Sequence, residues 1–225
     1  MAQHIFVQGS LGAGKTFIMS LFAHHWREKV RQQGGEIKLF SNYGLKDSHE
    51  MCHYTDWYEV AKAQGSICCW DEAQMAFDSR QALKSTHIYA SQLMMFTRKM
   101  KALQMYASPS INNVDSRIRQ IIEVLINVRK IGKKGIAIDF FDFQAKQFGP
   151  NGQFLHTQFL PMWKMEKIFK LNLYDTYNMV QGFPLPTTDR QAKDFFEKLE
   201  EIHDEARGKV TIEARLIEEN EVKIV

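Results

Sequence analysis

Long apolar runs are missing from this chain of 225 residues. Nowhere do roughly eighteen apolar residues follow one another, as a membrane-crossing helix would need. The first residues carry no basic segment leading into an apolar core, so no secretory leader or span of its own is expected. Cysteine is scarce: three residues, two of them adjacent at Cys68 and Cys69. That excludes a disulfide framework or metal-ligand spacing and points to a reducing compartment. Proline is also scarce, at five residues, and no flexible tract breaks the chain. A net charge of +3 is too small to argue for nucleic acid on its own, so any such case rests on local clusters. Internal repeats and low-complexity tracts are absent. The 44% apolar content suits one α/β domain with additions.

What is present begins at Gly9-Ser10-Leu11-Gly12-Ala13-Gly14-Lys15-Thr16, which reads G-x-x-x-x-G-K-T, the phosphate-binding P-loop. The apolar run His4-Ile5-Phe6-Val7-Gln8 before it suits a buried strand. Apolar residues at helical spacing follow from Phe17 to Lys29. Glycines let backbone N–H groups wrap phosphates, and the start of the following helix adds its dipole. Lys15 would reach the β- and γ-phosphates, and the Thr16 hydroxyl would hold Mg²⁺.

Further along, the Gln32 to Gly35 stretch ends the first helix, and residues 36–40 suit a strand. Thr55 or Asp56 can cap a helix through Trp57, Val60 and Ala63, which Gly65 stops. Residues 66–70 read as an apolar strand ending in Asp71-Glu72. A methionine-rich helix is expected over 87–100, its methionines serving as core filler, then a strand over 102–107 and a short helix over 114–122. Residues 123–131 and 136–143 form a β-hairpin around Gly132-Lys133-Lys134-Gly135. A further strand covers 153–160. Pro184 and Pro186 mark a linker, and Thr188-x-x-Gln191 opens a helix over 188–207 with Ala192, Phe195, Leu199, Ile202 and Ala206 on one face. The alternation of Val210, Ile212, Ala214 and Leu216 predicts a β-rich tail. The expected division is a P-loop core over 1–145 and an extension over 146–225 that wraps it.

An apolar strand ending in Asp is the Walker B pattern, in which Asp71 would hold the Mg²⁺ water shell. Glu72 is then placed to orient or deprotonate an attacking water. At the end of the strand 102–107, Ser108 is the first candidate to sense the γ-phosphate and Gln104 the second. An arginine supplied by a neighbouring subunit would stabilise the transferring phosphoryl group, the candidates being Arg80, Arg98, Arg117 and Arg119.

The ordered set of Gly9–Thr16, Trp70-Asp71-Glu72-Ala73-Gln74 with Arg80, Arg98, Ser108-Pro109-Ser110 and Asp115-Ser116-Arg117-Ile118-Arg119 resembles the FtsK–HerA branch of P-loop ATPases. Within it, the chain looks like phage zonula-occludens-toxin-like assembly ATPases and the genome-packaging ATPases of tectivirus-like, membrane-containing viruses. The likeness spans about residues 3–145. It implies an α/β fold with a mostly parallel central sheet flanked by helices and extended by an antiparallel β-hairpin. It also implies a homo-oligomeric ring, commonly hexameric, that uses ATP and Mg²⁺ to move double-stranded DNA or extrude virions. Lys15 and Thr16 would carry over as phosphate and Mg²⁺ ligands, Asp71 as the metal ligand and Glu72 as the base. Two departures stand out. Family members often have Gln where Ala107-Ser108 stands, and filamentous-phage members continue into a transmembrane helix. The second departure favours genome packaging.

For DNA contact the candidates are Lys99 and Lys101 beside Arg98, and Lys133 and Lys134 with Arg129 and Lys130 around the hairpin turn. The implied partners are double-stranded DNA without sequence preference, and capsid or membrane proteins at a portal vertex. The implied location is the host cytoplasm or the virion. Two other readings compete: an assembly ATPase whose client is protein, and a P-loop nucleotide kinase. Glu72 disfavours the kinase because it selects water as nucleophile.

Overall fold

Both faces of a parallel strand need cover, so its residues read as continuous apolar runs. The computed structural model describes residues 3–76, 84–114 and 116–222. In chain order these form β1 (His4–Gln8), α1 (Lys15–Gln32), β2 (Lys38–Ser41), β3 (Ser48–Glu50), α2 (Trp57–Ala63), β4 (Ser66–Trp70), α3 (Ala73–Ala76) and α4 (Lys84–Lys99). Then come β5 (Ala102–Ser108), α5 (Ser116–Ile121), β6 (Val124–Ile131), β7 (Gly135–Asp142), β8 (Gln153–Pro161), α6 (Met162–Phe169) and α7 (Asp189–Val222). The eight strands lie in the order β3-β2-β4-β5-β1-β6-β7-β8. The first six run parallel, and β7 and β8 add an antiparallel hairpin edge. This is the expected mostly parallel sheet with helices on both sides.

Alternation along the strands divides the core in two. Phe6, Cys68, Trp70, Tyr106 and Leu125 face α2, α4, α5 and α7. Val7, Cys69, Met105, Ala107 and Val128 face α1 and α6. Cys68 and Cys69 therefore point to opposite faces, and burial pushes the Cys68 thiol up to about 12 and the Cys69 thiol well above its ordinary value. In the methionine-rich helix, Met94 and Met100 are buried as core filler, while Met95 turns out to solvent.

Three local expectations are corrected. The predicted β-tail is helical, because α7 runs unbroken to Val222. A short alternation of Val210, Ile212, Ala214 and Leu216 also fits helical spacing, and the surrounding Glu, Ala, Arg and Leu are strong helix formers. Asp56 holds the N-cap position of α2 but its side chain makes no bond to that helix; it closes the preceding 3-10 turn instead, its carboxylate accepting from the N–H groups of Cys52 and His53 at 2.8 Å each. The proline-marked linker is held against the core: Trp57 donates its indole N–H to the Pro184 carbonyl at 3.0 Å, and Pro184 and Pro186 are both buried. Upstream of it, the Leu173 carbonyl accepts from Lys46 N–H (2.9 Å) and Asp175 N–H donates to Gly44 (2.7 Å). The strand β3 had no signal beyond three polar residues.

Candidate active site

β1 delivers the glycine loop at the carboxyl edge of the sheet. Gly12 (φ +73°) and Gly14 (φ +98°) occupy left-handed conformations that side chains disfavour. A Cβ on Gly9 would fall 2.4 Å from the Val128 carbonyl oxygen, so the loop needs glycine there to pass β6. Ser10, Leu11 and Ala13 complete the turn, closed by Ala13 N–H donating to Ser10 at 3.1 Å. Lys15 opens α1 almost fully buried, with its ammonium donating to the Ser10 carbonyl at 3.2 Å.

The Thr16 hydroxyl donates to the Asp71 carboxylate at 2.8 Å, which brings the two motifs together across 55 residues of chain. Burial pushes the Asp71 carboxyl above its ordinary range, against the lowering effect of the Thr16 hydrogen bond. Glu72 takes a left-handed conformation (φ +49°), with its N–H donated to Asp71 at 3.1 Å. Such a conformation costs a non-glycine residue about 1–3 kcal/mol and is found where function aims a side chain. Gln74 donates its amide to the Glu72 carboxylate and fixes it from the next turn.

Residues outside the two motifs support this centre. Asn42, just past β2, accepts the Asp71 N–H at 2.8 Å and donates to the Asp71 carbonyl at 3.1 Å and the Gln181 carbonyl at 2.7 Å. Behind Thr16, Ser20 donates to the Thr16 carbonyl (2.8 Å) and bonds the buried Tyr43 hydroxyl (2.9 Å). A polar residue directly after an apolar strand was the available signal for Asn42.

Ser108 lies at the carboxyl end of β5, buried and paired in register with Gln8. Gln104 lies four residues back, where its side-chain oxygen accepts from the Trp70 indole at 2.8 Å, so it serves the core there. Arg117 and Arg119 lie on α5, which follows β5 from the edge bearing the glycine loop, and Arg119 donates to Asn112 at 3.5 Å. Arg98 and Lys99 close α4 and Lys101 precedes β5, which puts all three at the opposite edge. A seven-residue β5 separates those edges by about 20 Å. Lys99 and Lys101 there line a groove with Glu200, His203 and Asp204 of α7. Arg129 is bound to Asp139 at 2.6 Å, whereas Lys133 and Lys134 are exposed at a hairpin turn on the same edge as the glycine loop. Arg80 lies outside the described residues.

The glycine loop opens into a cavity of about 400 Å³ that also takes in Glu72, Lys130, Ile136 and residues of α6. A larger depression of about 500 Å³ beside the Arg27–Asp47 ion pair holds none of the motif residues, and the chemistry assigns the site to the first. A hydroxyl and a carboxylate in contact, both oxygen donors, suit the hard Mg²⁺ ion, so Thr16 and Asp71 fit it.

No protein-family model and no curated protein matches the sequence. Among solved structures, the N-terminal domain of zonular occludens toxin from Neisseria meningitidis is similar with a TM-score of 0.55 at 18% identity, covering 78% of this chain and 100% of that one. The genome packaging NTPase B204 from Sulfolobus turreted icosahedral virus 2 gives a TM-score of 0.45 at 10% identity over 71% of this chain and 96% of that one. The FIGL-1 AAA domain in complex with ADP gives 0.36 at 14% over 56% and 42%. The last two scores are too low to argue from. Together with the glycine loop at the end of β1, the first likeness establishes the fold as that of the P-loop NTPases.

Proposed function

We propose that the chain is an ATP-hydrolysing motor that translocates double-stranded DNA, with packaging of a viral genome into a capsid as its task. The observation that carries the hydrolysis is the Thr16–Asp71 contact with Glu72 beside it in one cavity. Mg²⁺ held by Thr16 and Asp71 would neutralise the phosphate charge. Lys15 binds the β- and γ-phosphates, and the loop N–H groups wrap them. Glu72 aligns a water on the γ-phosphorus and takes its proton as the new P–O bond forms. The bond to the β-phosphate oxygen breaks, and ADP leaves. A neighbour's arginine, from among Arg80, Arg98, Arg117 and Arg119, completes the site in a homo-oligomeric ring, in the manner of a hexamer.

For DNA, the hairpin turn with Lys133 and Lys134 is favoured over Lys99 and Lys101. It shares the edge of the glycine loop, and a Cβ on Gly14 would fall 2.7 Å from Ile136 of that hairpin. A shift of the loop on hydrolysis thus has a short route to cations that track phosphates. The motor works in the host cytoplasm or at a portal vertex of the virion, anchored by capsid or membrane proteins.

A second reading, virion assembly on protein clients, is favoured by the exposed apolar side chains Leu155 and Phe159 of β8 and Trp163 of α6. Steady-state hydrolysis with and without linear double-stranded DNA, at low and moderate salt, separates the two. Stimulation that fades as salt rises, and that is mostly lost in the double change Lys133→Glu with Lys134→Glu, is the expected result. Hydrolysis indifferent to DNA would move the assignment to assembly.

A further inference from the structure

Strand order gives the nucleotide cavity a direction. The glycine loop leaves β1, and β4, two strands to one side, carries Asp71 and Glu72, where metal and water belong. Two strands to the other side, at about 10 Å, lies β7 with Ile136, and α6 follows β8 beyond it. A triphosphate with its γ end at Glu72 therefore sends its nucleoside toward β7 and α6. Beyond the glycine loop the cavity is lined by Ile136, Met162, Met165 and Phe169, none of whose side chains carries an N–H or O–H group.

Phe169 is the most telling member. Its ring stacks on Phe17 of the first turn of α1, with centroids 5.4 Å apart and planes 15° apart, yet half of its surface is exposed. A phenyl ring anchored on one face and open on the other is built to be covered. The cavity is continuous from the glycine loop to this ring, and about 400 Å³ falls within the range of ligand clefts. Methionine thioethers beside it adapt to flat rings of differing outline. Tyr174 lines the same cavity, edge-on to Phe169 at 6.4 Å, and Lys130 supplies a cation.

We infer that the nucleoside base is held by this wall of Ile136, Met162, Met165 and Phe169, three of whose members lie in the extension after residue 145. The wall selects by size and stacking and does not read the hydrogen-bonding edge of the base. The inference rests on the assignment of the glycine loop as the phosphate site. It makes α6 a working part of the active site, and it makes ATP and GTP nearly equivalent ligands.

The test is equilibrium binding, with Mg²⁺, of ATP, GTP, CTP and inorganic tripolyphosphate to the full chain and to Phe169→Ala and Met165→Ser. ATP and GTP are expected within about threefold of each other and tighter than CTP. Each change should weaken both purine nucleotides about tenfold, the loss of one base–ring contact. Tripolyphosphate affinity should stay as it was, which also reports an intact fold. A preference for ATP over GTP beyond about a hundredfold would reveal a polar reader of the base and overturn the inference. So would unchanged ATP binding in both variants, loss of tripolyphosphate together with ATP, or ATP binding no tighter than tripolyphosphate in the unaltered chain. Failure of the unaltered chain to bind either ligand would instead remove the phosphate-site assignment, and the wall with it.

Discussion

Asn42 and Asp71 exchange two hydrogen bonds, the Asp71 N–H to the Asn42 side-chain oxygen at 2.8 Å and the Asn42 amide to the Asp71 carbonyl at 3.1 Å. The pair clamps the backbone at the end of β4, so the Asp71 carboxylate meets Thr16 without hunting. Because the same amide also donates to the Gln181 carbonyl, Asn42 ties the extension to the centre. Asn42→Ala should lower kcat about ten- to a hundredfold with a much smaller effect on nucleotide affinity. Leaving the buried Asp71 N–H unpaired should cost about 1–3 kcal/mol of stability. Kinetics alongside thermal unfolding would read both, and an unchanged kcat would remove Asn42 from the positioning role.

Glu72→Gln keeps shape and loses the base. Hydrolysis should drop by about a hundredfold or more while nucleotide binding persists. Gln74→Ala frees the Glu72 carboxylate and should cost less, with partial loss of kcat. Single-turnover hydrolysis decides, and full activity in Glu72→Gln would mean that another group activates water.

Asp71 carries a cost that Asn would not. Burial raises its folded carboxyl above the unfolded value, so the folded state holds the proton more tightly. Stability is then lost as pH rises through the carboxylate range. Asp71→Asn should therefore gain thermal stability relative to the unaltered chain at pH 8, and the gain should vanish as pH falls to about 4. Activity should be lost throughout. Melting curves at the two pH values check the sign.

His4 gives the opposite slope. It is 5% exposed, bonds the Tyr106 hydroxyl at 3.4 Å, and burial pushes its imidazole down to about 4. The unfolded chain takes up a proton near the ordinary 6.5 and the folded one does not, so stability is lost as pH falls from about 6.5 to 4. The loss is about 3 kcal/mol across that window. His4→Phe should flatten it, which urea unfolding at several pH values would show.

Gly9→Ala places a methyl 2.4 Å from a backbone oxygen that cannot step aside. It should destabilise the fold by about 2 kcal/mol or more and abolish nucleotide binding. Gly65→Ala meets nothing within 4 Å and should be close to neutral in both assays.

Much of the centre was legible because its parts are local in sequence. A strand, a glycine loop and a helix follow one another at Gly9–Thr16, and Asp71-Glu72 ends an apolar run. Each is set by residues within a few positions. Asn42 was not legible, since its role depends on β2 and β4 lying side by side. Nor was the α6 wall: the sequence assigns no element between 160 and 184, and Met162, Met165 and Phe169 come beside the loop only because β8 carries the chain back to it. The tail was misread because four alternating residues satisfy two periods at once.

By itself the sequence determined the phosphate loop, the acidic pair, the alternation of strands and helices, and the hairpin. All of these depend on short-range periodicity, turn chemistry and the conformational freedom of glycine. Only the tertiary structure decided which cations share the site's edge, that Gln104 serves Trp70, that Asn42 clamps Asp71, and that the extension walls the cavity. Those relations come from strand order and face, which pair residues 29 to 139 positions apart. Packing of the two apolar faces selects that order, and no local run of residues encodes it.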